Sequence, residues 1–356
     1  MIWRKSNIMS QIKNYEIRYD LLNIVACISV VILHVNGSIW TFSTETHWKV
    51  SLFLETVFYW AVPVFFMLSG ATLIDYRKRY STKIYLKKRL IKTVLPYLFW
   101  SMVSIPWALY ESGYLTTDTV LNIREILNIV LNSKAMSVYW FFSALFSVYL
   151  IIPVLGCIPE EKRKRIFLYL ILYSFIADSI CPLLGPLFGI YVNGLYQNPF
   201  NGGGYIVFVL IGYYISKYPI SKNARISIYI CGVFGWAIRF FYTLYSSITL
   251  HNIDKTMFNY SYFPSVLLAV AVFTFFWYTN WSFVKEKHVE LIRRIAGDSF
   301  GVYLIHFYIL RYLVDHLQIP MESYSWKLWG TIVVYFLSLV ITDICKRSYL
   351  LRYFFP

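Results

Sequence analysis

Ten stretches of mostly apolar residues, each at or near the length of a bilayer crossing, restrict the folds open to this chain. They run over residues 21–40, 51–74, 90–110, 138–158, 166–187, 204–217, 226–246, 264–283, 295–316 and 327–345. A helix needs roughly 20 such residues to cross the hydrocarbon core. The sixth stretch, from Gly204 to Lys217, is the shortest. None shows the alternation of a barrel strand. Only 14% of the 356 residues are charged, where a soluble domain carries about a quarter, so the chain lacks the material for a water-facing surface. The expected fold is all-α, a polytopic membrane helix bundle of about ten transmembrane helices.

Orientation follows from the basic residues, because Lys and Arg in short loops are kept on the cytoplasmic side. With the N-terminus inside, 26 of the 33 lysines and arginines fall in the two tails and the four loops between even and odd spans. Both termini are therefore expected in the cytoplasm, with the chain a multi-pass protein of the cell inner membrane. The net charge of +15 is thereby spread over loops rather than gathered on one folded face, so a nucleic-acid partner is not expected. The lipid bilayer is the partner the composition demands. Cys27, Cys157, Cys181, Cys231 and Cys345 form no Cys-x-x-Cys pair and lie in or beside apolar segments, so neither a disulfide framework nor a metal site is expected. Nor is the first apolar run followed by a small-residue cleavage site, and it reads as a retained helix.

The chain reads as a single membrane domain over residues 1–356, with cytoplasmic tails at 1–20 and 346–356 flanking the spans of 21–345. Ten spans leave no room for an appended soluble enzyme domain, so the membrane helices carry the function. Between Glu111 and Ser137, the residues Ile123, Ile126, Leu127, Val130 and Leu131 recur at helical spacing and predict an interfacial helix. No internal repeat supports an inverted-repeat transporter.

Titratable groups at membrane depth are costly and therefore default functional candidates. His34 lies 14 residues into the first span and His306 12 into the ninth, about 20 and 18 Å from the same face at the helical rise. Glu55, Arg239, Arg311 and Asp178 fall at the middle or outer half and can line one outward cavity. An imidazole there is able to move a proton near neutral pH. For His306 a helix-packing donor is the competing role, and for Glu55 and Arg239 an ion pair that only joins helices. Asp298, Asp315 and Asp343 read as interfacial charges.

On the cytoplasmic side, Arg77, Lys78, Arg79, Lys83, Lys87, Lys88, Arg89 and Lys92 form the densest charge block. Orientation and attraction to anionic lipid account for most of it. Arg89 and Lys92, three apart on one helical face and leading into the bundle, suit a polyanion such as a nucleotide phosphate. Ser69-Gly70 on the second span allows either a close helix approach or a narrow ligand channel.

Five segments in register resemble the acyltransferase 3 family of bacterial membrane O-acyltransferases. They are Tyr19-Asp20-Leu21-Leu22 through His34; Val62-Pro63-Val64-Phe65-Phe66-Met67-Leu68-Ser69-Gly70; Lys88-Arg89-Leu90-Ile91-Lys92 with Pro96-Tyr97; Tyr139-Trp140-Phe141-Phe142 through Pro153; and Ser299-Phe300-Gly301-Val302-Tyr303-Leu304-Ile305-His306. The family pattern of a basic residue, ten residues, then histidine places its histidine at His34 and has Asn23 where the basic residue stands. Its cytoplasmic Arg-x-x-Arg corresponds to Arg89-Leu90-Ile91-Lys92, and His306 matches a common position near the end of the domain.

The resemblance implies an enzyme, an O-acetyltransferase moving an acyl group from cytoplasmic acetyl-CoA to a hydroxyl of an extracytoplasmic or lipid-linked glycan. In those terms His34, His306 and Glu55 are the catalytic candidates, His34 as general base or as a nucleophile forming an acyl-imidazole. Arg89, Lys92, Lys88 and Ser69 are candidates for the acyl-CoA, and Asn23, Arg239 and Trp140 for the acceptor. Tyr191, Asn193, Tyr196, Asn198, Asn201, Asn259 and Tyr260 add outer-loop groups able to stack on or hydrogen-bond a sugar. Capsule, O-antigen, wall polymer and lipid-linked sugar are all open as acceptor. The alternative is a glycan exporter or transporter component of a polysaccharide assembly system.

Overall fold

A computed structural model of the chain describes residues 2–111, 122–198 and 203–356. Every one of the ten apolar stretches is helical, and no strand occurs among the described residues. The first helix, α1 (Ile2–Val35), runs straight through residues 2–20, the stretch expected as a tail, and becomes apolar enough to span from Ile17. Among the described residues, six helical stretches are long and apolar enough to cross a membrane: Ile17–Val35, Thr46–Lys78, Ser137–Leu155, Glu160–Phe188, Lys222–Leu250 and Tyr324–Arg347.

Prolines set the breaks within these stretches. The second stretch is two helices, α2 (Thr46–Phe58) and α3 (Ala61–Leu73), because Pro63 has no N–H to donate back to Tyr59, and the turn at Tyr59-Trp60 interposes. After α4 (Thr82–Arg89), residues Leu90–Val94 widen into a π-helix before α5 (Leu95–Glu111). Pro96 cannot supply the next helical N–H, and the Leu95 N–H reaches back five residues to the Leu90 carbonyl. The same device recurs between α8 (Glu160–Ser174) and α9 (Cys181–Phe188), where Phe175–Ile180 is π-helical, the Cys181 N–H bonds Ile176 and Pro182 follows. The expected interfacial helix is α6 (Ile123–Leu131), started by a reciprocal Asn122/Glu125 capping box. Its Ile123, Leu127 and Leu131 face outward at a spacing of four; the rest of that connection, residues 112–121, lies outside the described residues.

The centre of the bundle explains why the sixth stretch is short. Helix α10 (Ile206–Lys217) has only 12 residues, yet Ile206 to Tyr213 are all buried, so the protein surrounds it on every side. It packs against α3 and α8, and two glycines set the closeness of the α3 contact. A Cβ on Gly70 would lie 1.9 Å from the Val209 carbonyl oxygen, and one on Gly212 would lie 2.1 Å from that of Met67. Around this core stand α7 (Trp140–Leu155), the pair α11 (Lys222–Leu250) and α12 (Phe263–Tyr278), and the pair α13 (Glu286–Leu317) and α14 (Tyr324–Arg347). Helices α1 and α13 lie side by side and run the same way, since Asn23 Nδ2 donates to the Ala296 carbonyl and His34 meets His306. On α13, Asp298 and His306 are buried and Arg311 is half-buried.

One end of α3 is tied down by charge. Asp75 accepts from Arg163 Nη1 at 2.6 Å and pairs with Lys217 Nζ at 2.5 Å. Arg163 also donates to the Tyr213 hydroxyl and to the carbonyls of Ile158 and Gly156. Breaking one partner of such a buried pair costs about 3 kcal/mol.

Candidate active site

Two separate cavities lie one beyond the other along the bundle. The first, about 390 Å³, is lined by Asn23, Ser69, Thr72, Arg89, Lys92 and Tyr149, with aromatic rings at its inner end. The second, about 460 Å³, is lined by His34, Glu55, Tyr59, Trp140, Tyr260 and Arg311. They occupy successive levels of the same helices. On α1, Asn23 borders the first and His34 the second, about 16 Å farther along. On α13 the change falls between Tyr303 and Phe307, and on α7 between the adjacent residues Phe141 and Trp140.

His34 lines the second cavity and His306 packs against it, with His34 Nδ1 and His306 Nε2 2.8 Å apart. The geometry assigns their protons. His306 Nδ1 faces the carbonyl oxygens of Tyr303 at 2.7 Å and Val302 at 3.2 Å; carbonyls only accept, so this nitrogen carries the hydrogen. A neutral His306 therefore presents a lone pair at Nε2, and His34 donates to it from Nδ1. The remaining nitrogen of His34, Nε2, is left with a lone pair on a ring that lines the second cavity. His306 is fully buried, with 0% exposure, whereas His34 is half-buried, so only His34 can meet a ligand. The arrangement can accept a proton from a hydroxyl and hold the resulting imidazolium by hydrogen bond.

Glu55 is buried and reaches the same cavity from α2, where Asn36 Nδ2 lies 3.5 Å from its Oε2. Tyr59, Tyr260 and Trp140 form a stacked column: Tyr59 and Tyr260 have ring centroids 4.2 Å apart, and Tyr260 and Trp140 5.5 Å. Arg239 lies behind this column and does not border the cavity. Its guanidinium sits 4.2 Å from the Tyr59 ring centre, donates from Nε to the Met257 carbonyl and bonds the Ser265 hydroxyl. It braces Tyr59.

At the first cavity, Arg89 closes α4 and Lys92 lies within the π-helical turn. The Arg89 guanidinium rests between the rings of Tyr85 and Tyr149, and its Nε is buried without a hydrogen-bond partner. An unpaired buried donor on a cation fits an anionic ligand, and Lys92 borders the same space. Lys88 does not; its ammonium is held 3.9 Å from the centre of the Tyr80 ring. The two roles weighed for Ser69-Gly70 are divided between the residues. Gly70 takes the close approach of α10, while Ser69 borders the cavity with its hydroxyl donating to the Phe65 carbonyl.

The other candidates are divided between the second cavity and sites away from both. Asp178 lies in the second π-helical turn and accepts from the Asn198 N–H. Arg311 borders the second cavity beside Asp315. Asp298 is buried and pairs with Lys346, and Asp343 with Arg294 and Arg347. Of the outer-loop groups, Tyr260 alone is placed on the second cavity; Tyr191 and Tyr196 are exposed, Asn193 caps a turn, and Asn198 is buried. Asn201 lies outside the described residues. Sequence reasoning missed Tyr59, Tyr303 and Asn36, which look like ordinary membrane residues until their neighbours are known.

A multi-pass membrane protein, helical throughout the described residues, with a histidine lining one of two successive cavities, is the class that this architecture defines. The chain belongs to the acyltransferase 3 family, whose model, described as an acyltransferase domain, matches residues 16–345. No curated protein and no solved structure matches it significantly.

Proposed function

We propose that the protein is a membrane O-acyltransferase. It transfers an acyl group, most simply acetyl, from a coenzyme A thioester at the Arg89–Lys92 cavity to a glycan hydroxyl in the His34 cavity. The observation that carries this reading is the histidine pair, whose hydrogen bonds leave His34 Nε2 unprotonated at the point where the two cavities approach. The basic residues lie toward the first cavity, which favours that end as cytoplasmic and the second as extracytoplasmic.

In the reaction, the phosphates of the donor meet Arg89 and Lys92, and its thioester arm extends past Ser69. His34 Nε2 takes the proton of the acceptor hydroxyl as its oxygen attacks the thioester carbon. The C–O bond forms, the C–S bond breaks, and the proton passes from His34 to the departing thiolate. His306 stabilises the transient imidazolium through Nδ1–H of His34. General-base catalysis of this kind is worth about 10²–10⁴ in rate. A glycan-exporting role calls for a conduit, and the layer of rings between the cavities favours transfer instead.

Replacing His34 with Ala tests the reading. The expected result is loss of acetyl from surface glycan, read by mass spectrometry as the absence of one acetyl mass, in a variant that reaches the membrane in normal amount. Full acetylation by that variant overturns the proposal.

A further inference from the structure

A run of contacting rings lies between the two cavities. Starting at α3, Phe65 meets Phe141 of α7 at 6.1 Å between ring centres, and Phe141 meets Tyr303 of α13 at 5.2 Å. Tyr303 then meets His306 at 5.7 Å, and His306 meets His34 of α1 at 4.9 Å. Five rings from four helices thus form one continuous layer. Phe65, Phe141 and Tyr303 border the first cavity, and His34 borders the second. The Tyr303 hydroxyl donates to the carbonyl of Val138, which borders the second cavity, so this ring is pinned across the layer. Phe65 and Phe141 carry no such anchor and are held by packing alone.

We propose that Phe65 and Phe141 gauge the acyl group, admitting a two-carbon chain to His34 and rejecting longer ones. This rests on the acyl-transfer reading given above. On that reading a thioester carbonyl moving from the Arg89 cavity toward His34 passes beside these rings, and its acyl chain lies against them. Phe141 is 6% exposed and touches Phe66, Phe142 and Tyr303 besides Phe65. It has little room to yield. Truncating either phenylalanine opens space beside the thioester carbon without touching the histidines, Arg89 or Lys92.

The test uses the full chain purified in detergent, with acetyl-CoA, butyryl-CoA and hexanoyl-CoA supplied separately and thiol release measured in the presence of acceptor glycan. In the unaltered protein acetyl is expected to be fastest. Phe141→Ala and Phe65→Ala are each expected to raise the butyryl-to-acetyl ratio at least about tenfold, the lower range for a single methylene in an apolar pocket. If Phe141→Ala does not fold, Phe141→Leu carries the same measurement with a smaller opening. Unchanged ratios in variants that still transfer acetyl overturn the gauge while leaving the transferase reading intact. Transfer of no acyl group by the unaltered protein overturns the transferase reading itself.

Discussion

His306 Nε2 lies 2.8 Å from His34 Nδ1, and its other nitrogen is committed to the carbonyls of its own helix. The pair works in one direction only. The helix backbone fixes the tautomer of the buried ring, and the buried ring fixes the tautomer of the ring beside it.

On the proposed reading His306 positions His34, and its replacement is expected to alter turnover rather than binding. His306→Ala should lower kcat by about 10- to 100-fold, the range seen when the partner orienting a histidine ligand is lost, with KM for both substrates nearly unchanged. His306→Gln should recover part of the rate, since its amide can donate to Tyr303 and accept from His34. Equal changes in kcat and KM, or no recovery by Gln, would point to a packing role.

The cations at the first cavity should separate cleanly. Hydrogen bonds to charged groups contribute about 1.5–3 kcal/mol, so Arg89→Ala is expected to raise KM for the acyl-CoA at least about tenfold. Lys92→Ala should act in the same direction. Lys88→Ala, whose ammonium is held over Tyr80, should leave that KM unchanged. Steady-state kinetics with dephospho-CoA thioesters beside the normal donor would locate which phosphate each cation meets.

The helix core offers a prediction independent of catalysis. A Cβ at Gly212 would overlap the Met67 backbone, and backbone cannot rotate aside as a side chain can. Gly212→Val should lower the detergent unfolding temperature more than Asp75→Asn, which leaves Arg163 its three other hydrogen bonds. Asp75→Asn should itself cost about 3 kcal/mol. An equal or reversed order would show that α3 and α10 separate more easily than their contact implies.

Much of this was legible along the chain because a bilayer punishes ambiguity: a run of some twenty apolar residues has few fates besides a helix. His34, Glu55, Arg89 and Lys92 stood out for the same reason, being costly groups at depth or at the mouth of the bundle. What the residues did not disclose depends on neighbours. Pro63 lies within an unbroken apolar run, and only its missing N–H explains the turn at Tyr59-Trp60. Arg163 sits in a four-residue basic cluster where nothing distinguishes it from Lys162 or Lys164, although it alone is buried against Asp75. Arg239 has the depth of a ligand-binding residue and a different task, because α12 and the Met257 loop claim its donors first. Trp140 and Phe141 are adjacent aromatics on one helix, and their division between two cavities follows from their neighbours, Tyr205 and Tyr260 beside Trp140 and Phe65 and Tyr303 beside Phe141.

The ring layer bears on the cell as well as on the substrate. An opening wide enough to join the two cavities would connect the water on either side of the membrane and let protons run down their gradient through the protein. Rings in contact from α3 to α1 stand between the two cavities, and on the proposed reading they let a group be handed across while keeping the bilayer closed to ions.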